Sequence, residues 1–404
     1  RKITNISHAG LVFKMELDSV KQQQQQNACC EYILPIKKRR CKMLVKKGNR
    51  FCGEHSIHDQ NNTDRMVCPN DGKHTILKAD LEIHLTRCNS RIRDAEYIKI
   101  DANSIRGETK RTDKIDRRAT EDEICTTVHK IWKCYETDVM DRLIVEQQRN
   151  ELVEQNIAQN SDLNNTKKKQ LYQISSILGH IESTGLLPTC SKSCMFELGA
   201  GKGQLAYWIS KAAPNGNYIL MDRSGSRNKF DTAAFRENPN LSMKRFRCSI
   251  EHMDLSKIDE LKNSEKILAI CKHFCGSATD AGIRSLMNSG LQFNAALLIP
   301  CCHHKSRFAE YGGHDFLEKW EMNDEASFAA LRYIASFATN GAVDTEATEG
   351  WKSIHPPLEL GRRAKAILEI GRAIWLESVG FKTRVVEYVP PEVSPENLLI
   401  LALK

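Results

Sequence analysis

Two short stretches of the 404-residue chain carry thiols and imidazoles at spacings that suit a tetrahedral metal ion. The first, CCEYILPIKKRRCKMLVKKGNRFCGEH, offers Cys30, Cys41, Cys52 and His55. The second, CPNDGKHTILKADLEIHLTRC, offers Cys68, His74, His84 and Cys88. Thiolate and imidazole are ligands that zinc accepts, and four protein ligands leave no open position, so both sites read as structural. Bound metal would supply folding energy that so few apolar residues cannot. His84 and Cys88 lie four apart and share a helix face, with Leu77, Leu81 and Leu85 as an apolar stripe expected to pack over the metal. Cys29 competes with Cys30 for the first ligand position; Cys30 is preferred because it sets a Cys-x-Tyr spacing with Tyr32. Scattered surface histidines and core cysteines are the plain alternative to the whole pattern.

A third chemistry-bearing segment is MFELGAGKGQLAYWIS. Glycines allow a tight turn and close approach of a ligand, and a helix N-terminus offers free N–H groups. The G-x-G-x-G spacing departs from the dinucleotide G-x-G-x-x-G, because Gln204 holds the last glycine position. Asp222 ends the next apolar run, where a carboxylate can accept both hydroxyls of a ribose or instead cap a helix. Glu197 reads as a cofactor contact or as a cap of the turn. The expected cofactor set is Glu197, Gly199, Ala200, Gly201, Gly203, Asp222 and Cys271.

Two further loops hold candidate acid–base and phosphate-binding groups. CKHFCGSATD carries Lys272, His273, Cys275 and Asp280; PCCHHKSRF carries Cys301, Cys302, His303, His304, Lys305 and Arg307. His273 and His303 are candidate bases, with Lys272 and Arg307 as phosphate contacts, although a core role for either histidine is an open alternative. The Cys-Cys-His-His run could also bind metal.

These groups need elements to hold them. Short apolar runs at Cys194–Leu198, Asn217–Met221, Met243–Cys248, Lys266–Cys271 and Asn294–Pro300 alternate with helix-compatible segments, which predicts βαβ crossovers and a parallel sheet. Lys382–Val389 and Leu398–Leu403 follow as two strands with a Pro-rich loop and no helix between them. The resulting expectation is an α/β fold: a Rossmann-like class I methyltransferase domain over residues 167–404, with a mostly parallel seven-stranded sheet. Both histidine-bearing loops then leave the carboxyl ends of adjacent central strands, where open α/β sheets bind ligands. Ahead of it lie a disordered leader (1–27, with glutamines at 22–26), two zinc modules (28–57 and 65–90) and a helical linker (91–166) whose pattern includes Leu143, Ile144, Val145, Leu152, Val153 and Ile157.

Composition narrows the class. Hydrophobic content of 41% and aromatic content of 7% suit a globular protein, and no run approaches the ~20 apolar residues of a membrane span. No secretion-type apolar segment opens the chain. Fifteen cysteines beside histidines at ligand spacing point to a reducing, intracellular compartment, nuclear or cytoplasmic, rather than to disulfides. Net charge is only +8, yet eight Lys or Arg fall between Lys37 and Arg50, a cluster that suits phosphate or simply solvates a loop.

Taken together, the tandem modules, FELGAGKGQL, CKHFCGSATD and CCHHKSRF resemble the eukaryotic tRNA 2′-O-methyltransferases that modify nucleotide 4 of the acceptor stem. The resemblance spans residues 28–90 and 167–404. It implies ribose methylation with S-adenosylmethionine as donor, the tRNA acceptor stem as partner, and zinc in a CCCH module followed by a CHHC module. Similar CHHC fingers serve RNA recognition in the minor spliceosome. Ser306 departs from the cysteine expected there in relatives, which argues against a further metal thiolate at that position. The family does not identify a general base. Methylation of a hydroxyl needs in-line alignment and removal of its proton, and His273 or His303 suits the second task. The motif typical of base N-methylation, Asn/Asp-Pro-Pro-aromatic, is absent after the fourth strand. No obligate protein partner is implied.

Overall fold

The computed structural model describes residues 29–35, 38–61, 64–88, 91, 94–105, 118–223, 229–339 and 355–404. The expected leader at 1–27 lies outside the described residues, as does Lys37. The chain divides into two compact units, Arg1–Ile92 and Arg93–Lys404.

The first unit is built around its cysteines. A small antiparallel pair, β1 (Ile33–Leu34) and β2 (Arg39–Arg40), presents Cys30 and Cys41 at its ends. A second pair, β3 (Arg65–Cys68) and β4 (Asp71–Leu77), leads into helix α1 (Leu81–Arg87). Among the described residues, buried apolar side chains other than cysteine are almost absent: Ile76 alone joins Cys68 and Cys88 in one cluster, and the other cluster is Cys30, Cys41 and Cys52. Thr75 joins the two modules, its N–H donating to Glu54 Oε2 (2.8 Å) and its hydroxyl to the Gly53 carbonyl (2.9 Å).

The second unit is a three-layer α/β/α sandwich. Its helices and strands, in chain order, are α2 (Glu121–Cys134), β5 (Leu143–Val145), α3 (Glu151–Gln159), α4 (Asn165–Ser183), β6 (Ser193–Leu198), α5 (Gln204–Ala212), β7 (Asn217–Asp222), α6 (Phe230–Glu237), β8 (Ser242–Arg247), α7 (Asp259–Lys262), β9 (Lys266–Cys275), α8 (Ser277–Asn288), β10 (Ala295–Cys301), α9 (His314–Lys319), α10 (Glu325–Ala335), α11 (Pro357–Ser378), β11 (Lys382–Glu387) and β12 (Leu398–Leu403). Sheet order is β5-β11-β12-β10-β9-β6-β7-β8, with β12 antiparallel to both neighbours. The strands from β6 to β10 pair in parallel. This is the Rossmann-like methyltransferase arrangement, with its glycine loop at the central crossover.

The sheet has eight strands where seven were expected. The additional one, β5, comes from the stretch read as a helical linker and pairs in parallel with β11, Ile144 opposite Val386. Three residues are too few to display a two-residue alternation, so their apolar character merged into the neighbouring helical pattern. Helix α2 also belongs to this unit. Thr120 opens it with a capping box, accepting the Glu123 N–H while Glu123 accepts the Thr120 N–H. Ile124, Val128, Ile131 and Cys134 then fall on one face and are buried with α8, α10 and α11. Asn103, farther upstream, donates to the carbonyls of Ile250 and Met253 at 2.7 and 2.8 Å.

Each aliphatic side chain that α2 buries contributes roughly 1.5–3 kcal/mol, and domains hold only about 5–15 kcal/mol in total. A chain lacking residues 1–92 should therefore retain a cooperative thermal transition, whereas one lacking residues 1–166 should lose it or aggregate. Equal calorimetric transitions for the two chains would show that α2 and β5 do not stabilise the unit.

Candidate functional site

Both cysteine–histidine groups converge. In the first, the ligand atoms of Cys30, Cys41, Cys52 and His55 all lie within 4.8 Å of one another, and so do those of Cys68, His74, His84 and Cys88 in the second. A tetrahedral zinc with Zn–S near 2.3 Å and Zn–N near 2.05 Å sets its ligands about 3.8 Å (S···S) and about 3.6 Å (S···N) apart. Cys30 and Cys52 sulfurs stand 3.5 and 3.3 Å from His55 Nδ1. Cys68 and Cys88 sulfurs are 3.7 Å apart, and Cys68 lies 3.1 Å from His84 Nε2. These four separations depart from the tetrahedral values by about half an ångström at most.

The rivalry between Cys29 and Cys30 is settled by strand geometry. Neighbouring side chains on an extended segment point to opposite sides; Cys30 is wholly buried and Cys29 is exposed. Tyr32 stacks with both His55 and His58, with centroids 4.1 and 4.4 Å away, and so orients the ligand ring. The expected Leu77–Leu81–Leu85 stripe needs correction. Leu77 ends a strand, not a helix, and is exposed; Ile76, Met66 and Leu81 pack on the second site instead.

The glycine loop joins β6 to α5, with Gly199, Gly201 and Gly203 at φ of 66°, 51° and 76°. Gly199 is required on two counts, since a Cβ there would also stand 2.8 Å from the Phe274 ring. Ala200 N–H donates to the Met221 carbonyl (2.9 Å), and Gly201 N–H donates to Asp222 Oδ2 (2.8 Å). Asp222 thus reaches back to the loop, and helix α6 starts well beyond it with Lys229 at its N-cap. Arg245 fastens the loop from below. Its Nη1 donates to the Gly201 carbonyl (3.0 Å), while Nε and Nη2 form a fork on Asp231 at 2.6 and 2.7 Å. Sequence reading missed this clamp, because Arg245 and Asp231 are two among several arginines and aspartates that follow the loop.

Glu197 is 3% exposed, and its Oε2 has no hydrogen-bond partner among the described residues. Burial pushes its carboxyl up to about 8, with the Arg245 charge pulling the other way. Burial likewise lowers the Lys272 ammonium to about 8, opposed by Glu197. The two groups therefore face each other electrostatically, and Lys272 is turned inward rather than outward to phosphates as expected. Cys271, also in the expected cofactor set, is 0% exposed and belongs to the same core cluster as Phe196 and Leu198, and burial raises its thiol to about 12.

Strands β9 and β10 are in step through Lys272 opposite Ile299, and then the register shifts so that Phe274 faces Pro300 and Cys275 faces Cys301. His273 is the surplus residue of this bulge, at φ 67° and exposed. Partial burial first, and the Lys272 charge second, lower its pKa, which keeps the imidazole neutral at neutral pH. Pro300, lacking an N–H, was the sequence signal for a bulge in an otherwise central strand.

His303 lies elsewhere. It is 3% exposed, and its Nε2 meets Glu369 Oε1 at 2.5 Å. Arg372 donates to both oxygens of Glu369 (3.1 and 3.2 Å) and forks onto Asp280 at 3.0 and 2.9 Å. This cluster ties the loop after β10 to α8 and α11, and the expectation that His303 serves as a base is corrected: its ring is enclosed and committed. Arg307 stays exposed on the same loop, its N–H bound to Ser277 Oγ (2.8 Å). The spacing of Lys365, Glu369 and Arg372 along one face of α11, among the apolar residues at 364–376, could have announced the cluster.

Comparison with known proteins now has a geometry to attach to. Residues 172–403 match the family described as Methyltransferase TRM13, residues 28–56 match the CCCH zinc finger of TRM13 protein, and residues 65–89 match the U11-48K-like CHHC zinc finger. The tRNA:m(4)X modification enzyme TRM13 of Schizosaccharomyces pombe is 30% identical over 370 residues, covering 86% of this chain and 98% of its own. Its counterpart in Vanderwaltozyma polyspora is 29% identical, covering 96% of this chain and 100% of its own. The human homolog is 26% identical, covering 93% of this chain and 94% of its own. Over that span of match, fingers and sheet together, the chain belongs to the TRM13 methyltransferase family.

Proposed function

We propose that this chain is a tRNA methyltransferase that places a methyl group on the ribose 2′-hydroxyl of nucleotide 4 in the acceptor stem. The observation that carries the reading is the family match across both fingers and the catalytic sheet, in a chain whose glycine loop and adjoining bulge are intact. No described helix is long and apolar enough to cross a membrane. Zinc-held thiolates need a reducing setting, which supports an intracellular address in nucleus or cytoplasm.

S-adenosylmethionine, when bound, supplies an electrophilic methyl group on a sulfonium. The residues present suit such a molecule. Gly199, Ala200, Gly201 and Gly203 keep the loop low enough for close approach, Asp222 stands at the end of β7 where ribose hydroxyls bind in this fold, and the unpartnered Glu197 oxygen can accept from a donor group or cation. Lys272 acts as a positioning residue that biases Glu197 toward its charged form. His273, neutral and exposed on the bulge, would orient the acceptor hydroxyl and take its proton at a ring nitrogen. Arg307 and the basic residues of the first finger, Lys38, Arg39, Arg40 and Lys42 among them, contact phosphates. An A-form minor groove displays the 2′-hydroxyl, so no base needs to be flipped out.

Incubating the protein with labelled methyl donor and unmodified tRNA, then digesting to nucleosides, should put the label in a 2′-O-methyl nucleoside; label in a base would overturn the ribose assignment. His273→Ala should lower kcat by about 10²–10⁴ while leaving donor affinity unchanged, whereas near-wild-type turnover would remove its role. His303→Ala should act chiefly by lowering the melting temperature.

The raised Glu197 pKa gives a signed pH effect. Glutamate titrates near 4.3 when unfolded and near 8 here. The folded state therefore holds its proton more tightly, and ionisation costs stability progressively as pH rises between those values. Glu197→Gln should thus melt like wild type below about pH 4, gain on it as pH rises, and keep a constant advantage above about pH 8, while binding the methyl donor more weakly. A stability difference independent of pH would contradict the shift.

A further inference from the structure

The bulge that expels His273 also assembles a group that neither the fingers nor the proposed transfer uses. Had β9 and β10 kept their initial register, Cys301 would lie opposite Phe274; the shift sets it opposite Cys275. The two sulfurs are 3.3 Å apart. Cys302 would ordinarily point to the other side of the strand from Cys301, but its backbone turns to a left-handed φ of 52° and ψ of 49°. Non-glycine residues rarely adopt this conformation, which is strained. The turn brings its sulfur in, and the thiols of Cys275, Cys301 and Cys302 all fall within 4.8 Å of one another. Gly276 permits the approach of the two loops. It sits at φ 55°, and a Cβ there would stand 2.6 Å from the Lys305 main chain.

We propose that Cys275, Cys301 and Cys302 form a third metal site, which takes zinc through three thiolates and leaves one coordination position for water or another small ligand. The Cys275–Cys301 sulfur spacing of 3.3 Å falls short of the edge of a zinc tetrahedron, about 3.8 Å, by the same half ångström or so as Cys68 Sγ to His84 Nε2 in the second finger, 3.1 Å where about 3.6 Å is expected. Among the described residues no His, Asp or Glu atom completes this group. His303, the nearest candidate in sequence, is committed to Glu369, and His304 is exposed. Three soft ligands with an open fourth position are the arrangement of an exchangeable site, in contrast to the closed fingers. Exposure is graded in the same sense: Cys301 is buried, Cys302 partly buried, and Cys275 exposed. The site occupies the carboxyl ends of β9 and β10, and its existence does not depend on which nucleic-acid atom receives the methyl group.

The test is metal stoichiometry of the full chain, purified under reducing conditions without chelator and measured by inductively coupled plasma mass spectrometry. Three zinc ions per chain are expected. The double variant Cys275→Ser/Cys302→Ser should hold two, with its thermal transition retained, and Cys52→Ser should independently lose one of the finger ions. Cobalt(II) substitution gives a second reading: the double variant should lose as much thiolate-to-metal absorbance as Cys52→Ser, which also empties a three-thiolate site, and more than Cys88→Ser, which empties a two-thiolate one. Two zinc ions in the wild-type chain, with or without a Cys275–Cys301 disulfide, would overturn the proposal whatever the variants do. Three ions that persist in a folded double variant would overturn it equally.

Discussion

Strand β9 carries one residue more than β10 where the two run side by side, and the surplus residue, His273, has to leave the ladder. That single mismatch orders the whole carboxyl edge of the sheet. It puts an imidazole into solvent beside a glycine loop, drives the Phe274 ring beneath Gly199, and brings Cys275 level with Cys301. A straight strand would have presented alternate residues to opposite faces and scattered these groups. The backbone strain at His273 and Cys302 is the local cost of gathering them.

The edge is braced from two directions. On the side of the glycine loop, Arg245 and Asp231 hold the turn that begins at Gly199, with a forked ion pair mostly shielded from water. On the side of the loop after β10, Arg372 links Asp280 and Glu369, and His303 completes the group. Charges this deeply buried stabilise little in net terms, because desolvation offsets their attraction, but removing one partner leaves the others stranded at a cost of several kcal/mol. Their effect is therefore to admit one loop conformation and penalise the rest.

Much of the fold was legible in the sequence because its strands are buried on both faces. Runs such as CMFEL, YILM and ILAIC read as continuous apolar segments, and helical texture between them gave the crossover order. The metal ligands were legible for a different reason: small modules cannot hide thiols in a core they do not have. What escaped was whatever depends on where a side chain points. Cys271 and Lys272 are neighbours in a motif, yet one faces the core and the other Glu197. His303 and His304 are equally adjacent, and only the first is enclosed. Strand β5 escaped because its three residues complete a sheet whose remaining edge lies more than 200 residues away in sequence, as the pairing of Leu143 with Val385 shows.

The distances along the chain between clamp partners also set an order of completion during synthesis. Arg245 lies 44 residues after Gly201, so the cofactor loop has all of its fastenings early. Asp280 must wait 92 residues for Arg372, and His303 waits 66 for Glu369. At ribosomal rates of about 5–20 residues per second, the first of these intervals lasts roughly 5–20 seconds. Through that time Asp280 has no guanidinium to bury against and stays hydrated. A nascent chain can thus fasten the glycine-loop half of this sheet edge well before the half formed by the loop after β10, and commitment of the latter is deferred until helix α11 has left the exit tunnel.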